Sequence, residues 1–150
     1  MKPAFMQLEQ ITTNRLLIEA LEGHDPNADE APMSLTAKIT GLAGSENDRQ
    51  YWKVGLAIRL RPKKDKSLPP YKVEVDVSGM FSTKTGHVPE PDLARLVGIN
   101  GASMLYSAVR EQVFMVTARG AWGPLQLPTV SFADLNVKPV ESLEKDRGAE

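Results

Sequence analysis

The sequence predicts an α+β domain: a four-stranded antiparallel sheet with a long helix and a short helix packed on one face. Three observations carry that expectation. The first half of the chain alternates apolar and polar residues with a period of two, the second half changes to helical spacing, and turn-forming clusters separate the apolar runs. Strands first and helices afterwards place the helices on one side of the sheet and leave its other side wet.

The first strand is predicted over residues 7–19, where Leu8, Ile11, Leu16 and Ile18 interleave with polar side chains. Leu16-Leu17-Ile18 breaks the alternation, as a bulge or a two-sided strand would. An acidic, turn-rich stretch, EGHDPNADEAP at 22–32, forms a crossover loop, and Leu35, Ala37, Ile39 and Leu42 mark the second strand. After a turn at 44–48, Trp52, Val54, Leu56, Ile58 and Leu60 alternate almost without fault as the third strand. The basic turn RPKKDKSLPP leads to the fourth, with Tyr71, Val73, Val75 and Val77 on one face and Lys72, Glu74 and Asp76 on the other.

Helical spacing begins at residues 89–97, where Pro91 suits a first turn and Leu93, Leu96 and Val97 share a side; Gly98 is expected to stop this short helix. A longer helix is predicted over 102–118, with Leu105, Val109, Val113 and Val116 on one face and Met104, Ala108 and Met115 on another. A helix apolar on two sides needs contact on two sides. Its own sheet covers one, so a second subunit is the economical partner for the other. Arg119-Gly120 then ends the helix, with a cation near the negative end of the dipole and a glycine able to adopt a left-handed cap.

Composition narrows the function. The 150 residues are 41% hydrophobic and 25% charged with a formal charge of −1, which fits one domain and gives no basic field to gather nucleic acid or an anionic membrane. Residues 1–136 are read as that domain and 137–150 as a polar, flexible tail. The absence of cysteine fits a reducing compartment, and no apolar run approaches the roughly 18 residues of a membrane span. A cytoplasmic location without membrane insertion is expected. The catalytic inventory is sparse, so no enzyme and no cofactor is predicted. His24 and His87 lie in turns outside any ligand-pair spacing and read as solvent-exposed; Asp25, Asp29 and Glu30 lack the glycine of a calcium loop, so no metal is expected. Lys63, Lys64 and Lys66 read as a solvating turn.

The stretch MLYSAVREQVFMVTARGAWGPLQLPTVSFADL resembles the signature of the SecB family of tetrameric export chaperones. Leu105, Tyr106, Arg110 and Glu111 match the start of the family's long helix, Arg119-Gly120 its end, Trp122 the following aromatic, and Leu125, Leu127, Val130 and Phe132 the extended segment. MQLEQITTNRLLIEA and VEVDVSGMFST resemble the first and fourth strands, so the similarity spans about residues 6–135. Ser107-Ala108 stand where the family has Pro-Tyr, and the acidic crossover loop supplies none of the family's aromatics.

The resemblance implies an ATP-independent holdase for unfolded polypeptides, assembled as a homotetramer, a dimer of dimers. Tyr71, Trp122, Leu125, Leu127, Val130 and Phe132 are the expected client-binding residues, and Met104, Leu105, Ala108, Val109, Val113 and Val116 the expected oligomer interface. The acidic loop favours basic, aromatic-bearing client segments. Family members also engage the SecA motor partly through acidic and apolar residues on the open sheet face. Glu19 and Glu74 match acids of that surface, whereas Arg15 replaces an acid and Lys72 an apolar residue. These two cations either pair with the carboxylates and hide them or stand as ordinary strand charges. Export, service to one dedicated client such as the antitoxin of a toxin-antitoxin pair, and a non-chaperone adaptor on the same fold are the competing functions.

Overall fold

The alternating first half of the chain forms four long strands in a computed structural model that describes residues 1–27, 33–46, 48–64, 67–86, 92–134 and 138–140. They are β1 (Met6–Ala20), β2 (Met33–Glu46), β3 (Arg49–Leu60) and β4 (Tyr71–Lys84), followed by one helix, α1 (Asp92–Thr117), and a short β5 (Lys138–Val140). The sheet order is β1-β4-β3-β2-β5. The four long strands pair antiparallel, and β5 adds to the β2 edge in parallel. Three residues of the segment read as a flexible tail are therefore a fifth strand; residues 141–150 lie outside the described ones.

Periodicity translates directly into burial on β3 and β4. Trp52, Val54, Leu56, Ile58 and Leu60 face α1 together with Tyr71, Val73, Val75, Val77 and Phe81, and all ten are buried. At about 1.5–3 kcal/mol for each fully buried aliphatic or aromatic side chain, this layer dominates the stabilisation of the fold. On β1 the expected irregularity sits elsewhere: the register shifts lie between Leu8 and Gln10 and between Thr13 and Arg15, while Leu16, Leu17 and Ile18 pair regularly with Val75, Glu74 and Val73. Leu17 consequently faces the open side of the sheet, and this part of β1 is two-sided rather than bulged.

The two predicted helices are one. Gly98 does not stop the first, because α1 continues through Gly98 and Gly101 to Thr117; residues 89–91, where the short helix was expected to start, lie outside the described ones. A mid-helix glycine costs about 1 kcal/mol relative to alanine, and close packing on the sheet offsets it. A Cβ on Gly101 would stand 2.9 Å from Val54 and 3.2 Å from Phe81. The buried positions Leu93, Val97, Gly101, Leu105, Val109, Val113 and Thr117 form a single i, i+4 row. Such a row is inclined to the helix axis, so the buried stripe winds slowly around α1 as it crosses the sheet.

Helix termination also differs in mechanism. The Gly120 N–H donates to Thr117 O at 2.8 Å, but Gly120 has no left-handed conformation. It is small for another reason: a Cβ there would lie 2.3 Å from the Tyr71 hydroxyl. The left-handed glycine of this turn is Gly123, with φ +77°.

Candidate functional site

After α1 the chain doubles back as an extended segment, residues 121–134, laid along one flank of the helix. Alternating apolar residues cannot by themselves fix an extended strand that has no sheet partner. Side chains from the helix supply its hydrogen bonds instead. Thr117 Oγ1 accepts the Leu125 N–H at 2.8 Å while donating to Val113 O at 2.7 Å. Arg110 Nε donates to Leu127 O at 2.9 Å, and the Tyr106 hydroxyl donates to Pro128 O. Leu127 and Phe132 enter the core, with the Phe132 ring edge-on to Tyr106 at 5.6 Å. Burial and the cation at Arg110 act oppositely on the Tyr106 hydroxyl; burial prevails and pushes its pKa up, so it stays a donor.

The start of the segment is fastened to the sheet. Tyr71 OH donates to Gly123 O at 2.7 Å and accepts the Trp122 N–H at 3.0 Å. Trp122 Nε1 donates to Leu21 O at 2.9 Å, and its ring meets His24 edge-on at 5.0 Å. Because Leu68 O can only accept, His24 Nδ1 carries the proton of their 2.8 Å hydrogen bond. His24 is thus half-buried between two loops rather than solvent-exposed as the sequence implied.

Among the described residues, nothing covers the opposite flank of α1. Met104, Ala108 and Met115 fall on one stripe, and Met104, Met115 and Val116 are exposed. On the same side of the sheet Leu8, Ile11 and Leu16 are also exposed, since they pair opposite Phe81, Gly79 and Val75, which face α1. They belong to β1, an edge strand of 15 residues with one side unpaired among the described residues.

The open face of the sheet is polar and organised around one carboxylate. Glu74 accepts from Arg15 Nε and Nη2 at 3.1 and 2.8 Å and from Arg61 Nε at 2.8 Å, with Lys72 Nζ at 4.0 Å. These bonds, from Arg15 first and Arg61 second, lower its pKa from 4.5 to about 2. Beside it Arg59 Nη2 lies 2.8 Å from Asp76 Oδ1 as an ion pair without hydrogen-bond alignment. Among the described residues no three His, Asp or Glu side chains gather into a metal site, and no helix is long and apolar enough to cross a membrane; His87, Asp29 and Glu30 lie outside the described residues.

The family described as preprotein translocase subunit SecB matches residues 8–142. The chain belongs to the SecB family. It is 25% identical over 130 residues to the protein-export protein SecB of Magnetococcus marinus, covering 81% of this chain and 78% of that one. Its fold is similar to the Mycobacterium tuberculosis Rv1957 SecB-like chaperone in complex with a ChAD peptide from the Rv1956 HigA1 antitoxin, with TM-score 0.50, 15% identity, and coverage of 84% and 91%. A Streptococcus agalactiae protein of unknown function has the same fold, with TM-score 0.55, 15% identity, and coverage of 83% and 97%.

Within this SecB-family fold the six expected client residues separate into two groups. Trp122, Leu125 and Val130 are accessible, with Trp122 exposed and the other two half-buried. Tyr71, Leu127 and Phe132 are interior, because the hydroxyl of Tyr71 serves the chain's own backbone and the other two side chains fill the space beneath the segment. The expected interface set divides likewise. Leu105, Val109 and Val113 are buried under this chain's own sheet, whereas Met104 and Val116 are exposed and Ala108 is half-buried. Val116 thus leaves the stripe of Leu105, Val109 and Val113, because the buried row has wound past it by the last turn. Sequence reasoning missed Phe114, exposed on the flank that bears the segment, four residues past Arg110 and three before Thr117. Its membership of the Arg110 row was a signal available in the sequence.

Proposed function

We propose that this SecB-family chain is an ATP-independent holdase that receives non-native polypeptide along the extended segment. The carrying observation is an apolar strip made of Trp122, Leu125 and Val130, accessible on a segment whose backbone is held by Tyr71, Tyr106, Arg110 and Thr117, and of Phe114, exposed on the helix flank that bears it. An apolar surface on a fixed backbone gains about 25 cal/mol for each Å² of client it covers and spends little of that on ordering itself. No nucleotide or cofactor enters this account. The uncovered flank of α1 and the free β1 edge support assembly into a homotetramer, a dimer of dimers, in the cytoplasm. The test is aggregation of a chemically denatured protein on dilution. The chain should suppress it without ATP, Phe114→Ser with Leu125→Ser should lose most of the effect while keeping the thermal transition, and equal suppression by the variant would remove the strip from the reading.

Service to a dedicated client, rather than to general export, is the second reading. It is favoured by Glu74, which matches an acid of the surface that engages SecA in the family but lies here beneath Arg15 and Arg61. A basic motor surface meets guanidinium groups there. Weak SecA binding together with intact client binding distinguishes this reading from a housekeeping export role.

A further inference from the structure

We propose that the open face of the sheet, centred on Arg15, Arg61 and Lys72, docks an acidic polypeptide segment of a partner protein. The inference concerns the face opposite α1 and does not depend on the holdase reading.

The arrangement is a carboxylate overlaid by cations. The Glu74 side chain is 7% exposed, while Arg15 and Arg61, which both bond it, are 50% and 54% exposed and Lys72 is 35% exposed. An incoming partner therefore meets the positive groups and not the negative one. Glu74 occupies Nε and Nη2 of Arg15 and Nε of Arg61. A guanidinium has five N–H donors in a planar fork, so each arginine keeps further donors for a second carboxylate. Being tethered to Glu74, both forks lose less side-chain entropy on binding than free surface arginines would.

The surrounding charge has the same sign. Among the described side chains, the cross-strand rows from Lys72 to Met80 set six cations (Arg15, Lys38, Lys53, Arg59, Arg61 and Lys72) against three carboxylates, Glu19, Glu74 and Asp76. Arg59 is paired with Asp76, and Glu19 stands directly opposite Lys72. This surplus occurs on a chain whose net charge is −1. The rows contain no aromatic side chain on which a base could stack, and the whole chain has no positive field to track a phosphate backbone. Carboxylates at alternate positions of an extended peptide match the pleat of the face, which favours a peptide over a nucleic acid.

The experiment uses fluorescence anisotropy of a dye-labelled extended peptide with about four alternating glutamates, and of its all-glutamine counterpart, in low salt and in ~0.5 M salt. The acidic peptide should bind, the glutamine peptide should bind about tenfold more weakly or not at all, and salt should abolish the difference. Lys72→Gln, which leaves Glu74 covered by both arginines, should weaken binding several-fold with an unchanged thermal transition; Arg15→Gln should also weaken it, with a lowered melting temperature, because Glu74 then loses two of its hydrogen bonds. Equal binding of the two peptides, or binding that both variants retain, overturns the proposal. So does loss of binding in Phe114→Ser with none in Lys72→Gln, which would put the peptide on the apolar strip. Tighter binding of a single-stranded oligonucleotide of equal charge, lost in Lys72→Gln, overturns it in favour of nucleic acid. If aggregation suppression fails while the acidic peptide still distinguishes Lys72→Gln from the parent chain, the holdase reading falls and this one stands.

Discussion

At the scale of single residues, Glu74 shows how two nearby cations change what a carboxylate can do. Its carboxylate pKa is about 2 in the folded chain against an ordinary 4.5. A depressed carboxylate contributes stability that is present above the unfolded value and lost as pH falls through the folded one. The window is therefore from about pH 4.5 down to about 2. Glu74→Gln should lower the melting temperature at neutral pH, and the difference from the parent should shrink across that window; a difference constant with pH would contradict the linkage. The same geometry leads to a prediction about SecA. Arg15→Asp with Lys72→Leu uncovers Glu74 on one side, removes two cations, and should strengthen SecA binding by calorimetry while leaving client affinity unchanged. Tight SecA binding by the unmodified chain, lost on changing Glu74, would restore the export role.

Between elements, the contacts that matter are few and close. The turn after α1 is fastened where Gly120 passes the Tyr71 hydroxyl, with no room for a methyl group. Gly120→Ala should therefore cost about 1–3 kcal/mol through overpacking and release Trp122, read as a shift of its emission toward that of exposed indole. Trp52 provides a steady background, since it is buried and its Nε1 donates to Thr83 Oγ1 at 3.0 Å. Tyr71→Phe keeps the ring and removes the bonds to Gly123 and Trp122. It should give the same emission shift with a smaller loss of stability, on the order of 1–2 kcal/mol for the orphaned backbone groups. An unchanged emission in both variants would mean that Leu21 and His24 alone hold the indole.

For the whole molecule the winding of the buried row along α1 separates folding from assembly. Val113 is fully buried and Val116, three residues on, is 53% exposed. Val113→Glu should unfold the chain by burying an unpaired carboxylate. Val116→Glu should leave the fold intact and dissociate the proposed tetramer, because only a second copy would cover that position. Light scattering of the parent at micromolar concentration should give four subunits and of Val116→Glu fewer. A parent that remains a monomer would leave the exposed Leu8, Ile11, Leu16, Met104 and Met115 without the cover proposed for them.

The sequence by itself determined what depends on local spacing: four strands from their period of two, the helix-bearing face of β3 and β4, the C-terminal part of the long helix, and the membership of the SecB family through a continuous signature. Tertiary structure decided everything that depends on which of two satisfactory neighbours a residue takes. Gly98 reads locally as a helix stop, but the close packing of the helix on the sheet, where Gly101 meets Val54 and Phe81, makes a continuous helix the better state. Leu127 and Phe132 read as sticky surface, yet the helix side chains that bind their segment's backbone turn them inward. Phe114 follows Arg110 by four residues, so their shared row can be read from the sequence, but that this row runs beside the extended segment is decided by the fold. Glu74 could be placed on the open face from alternation alone, but that Arg15 and Arg61 cover it depends on three strands meeting in one register. Periodicity is a property of one segment, and register and burial are properties of several, so the second kind of fact appears only when the chain is folded.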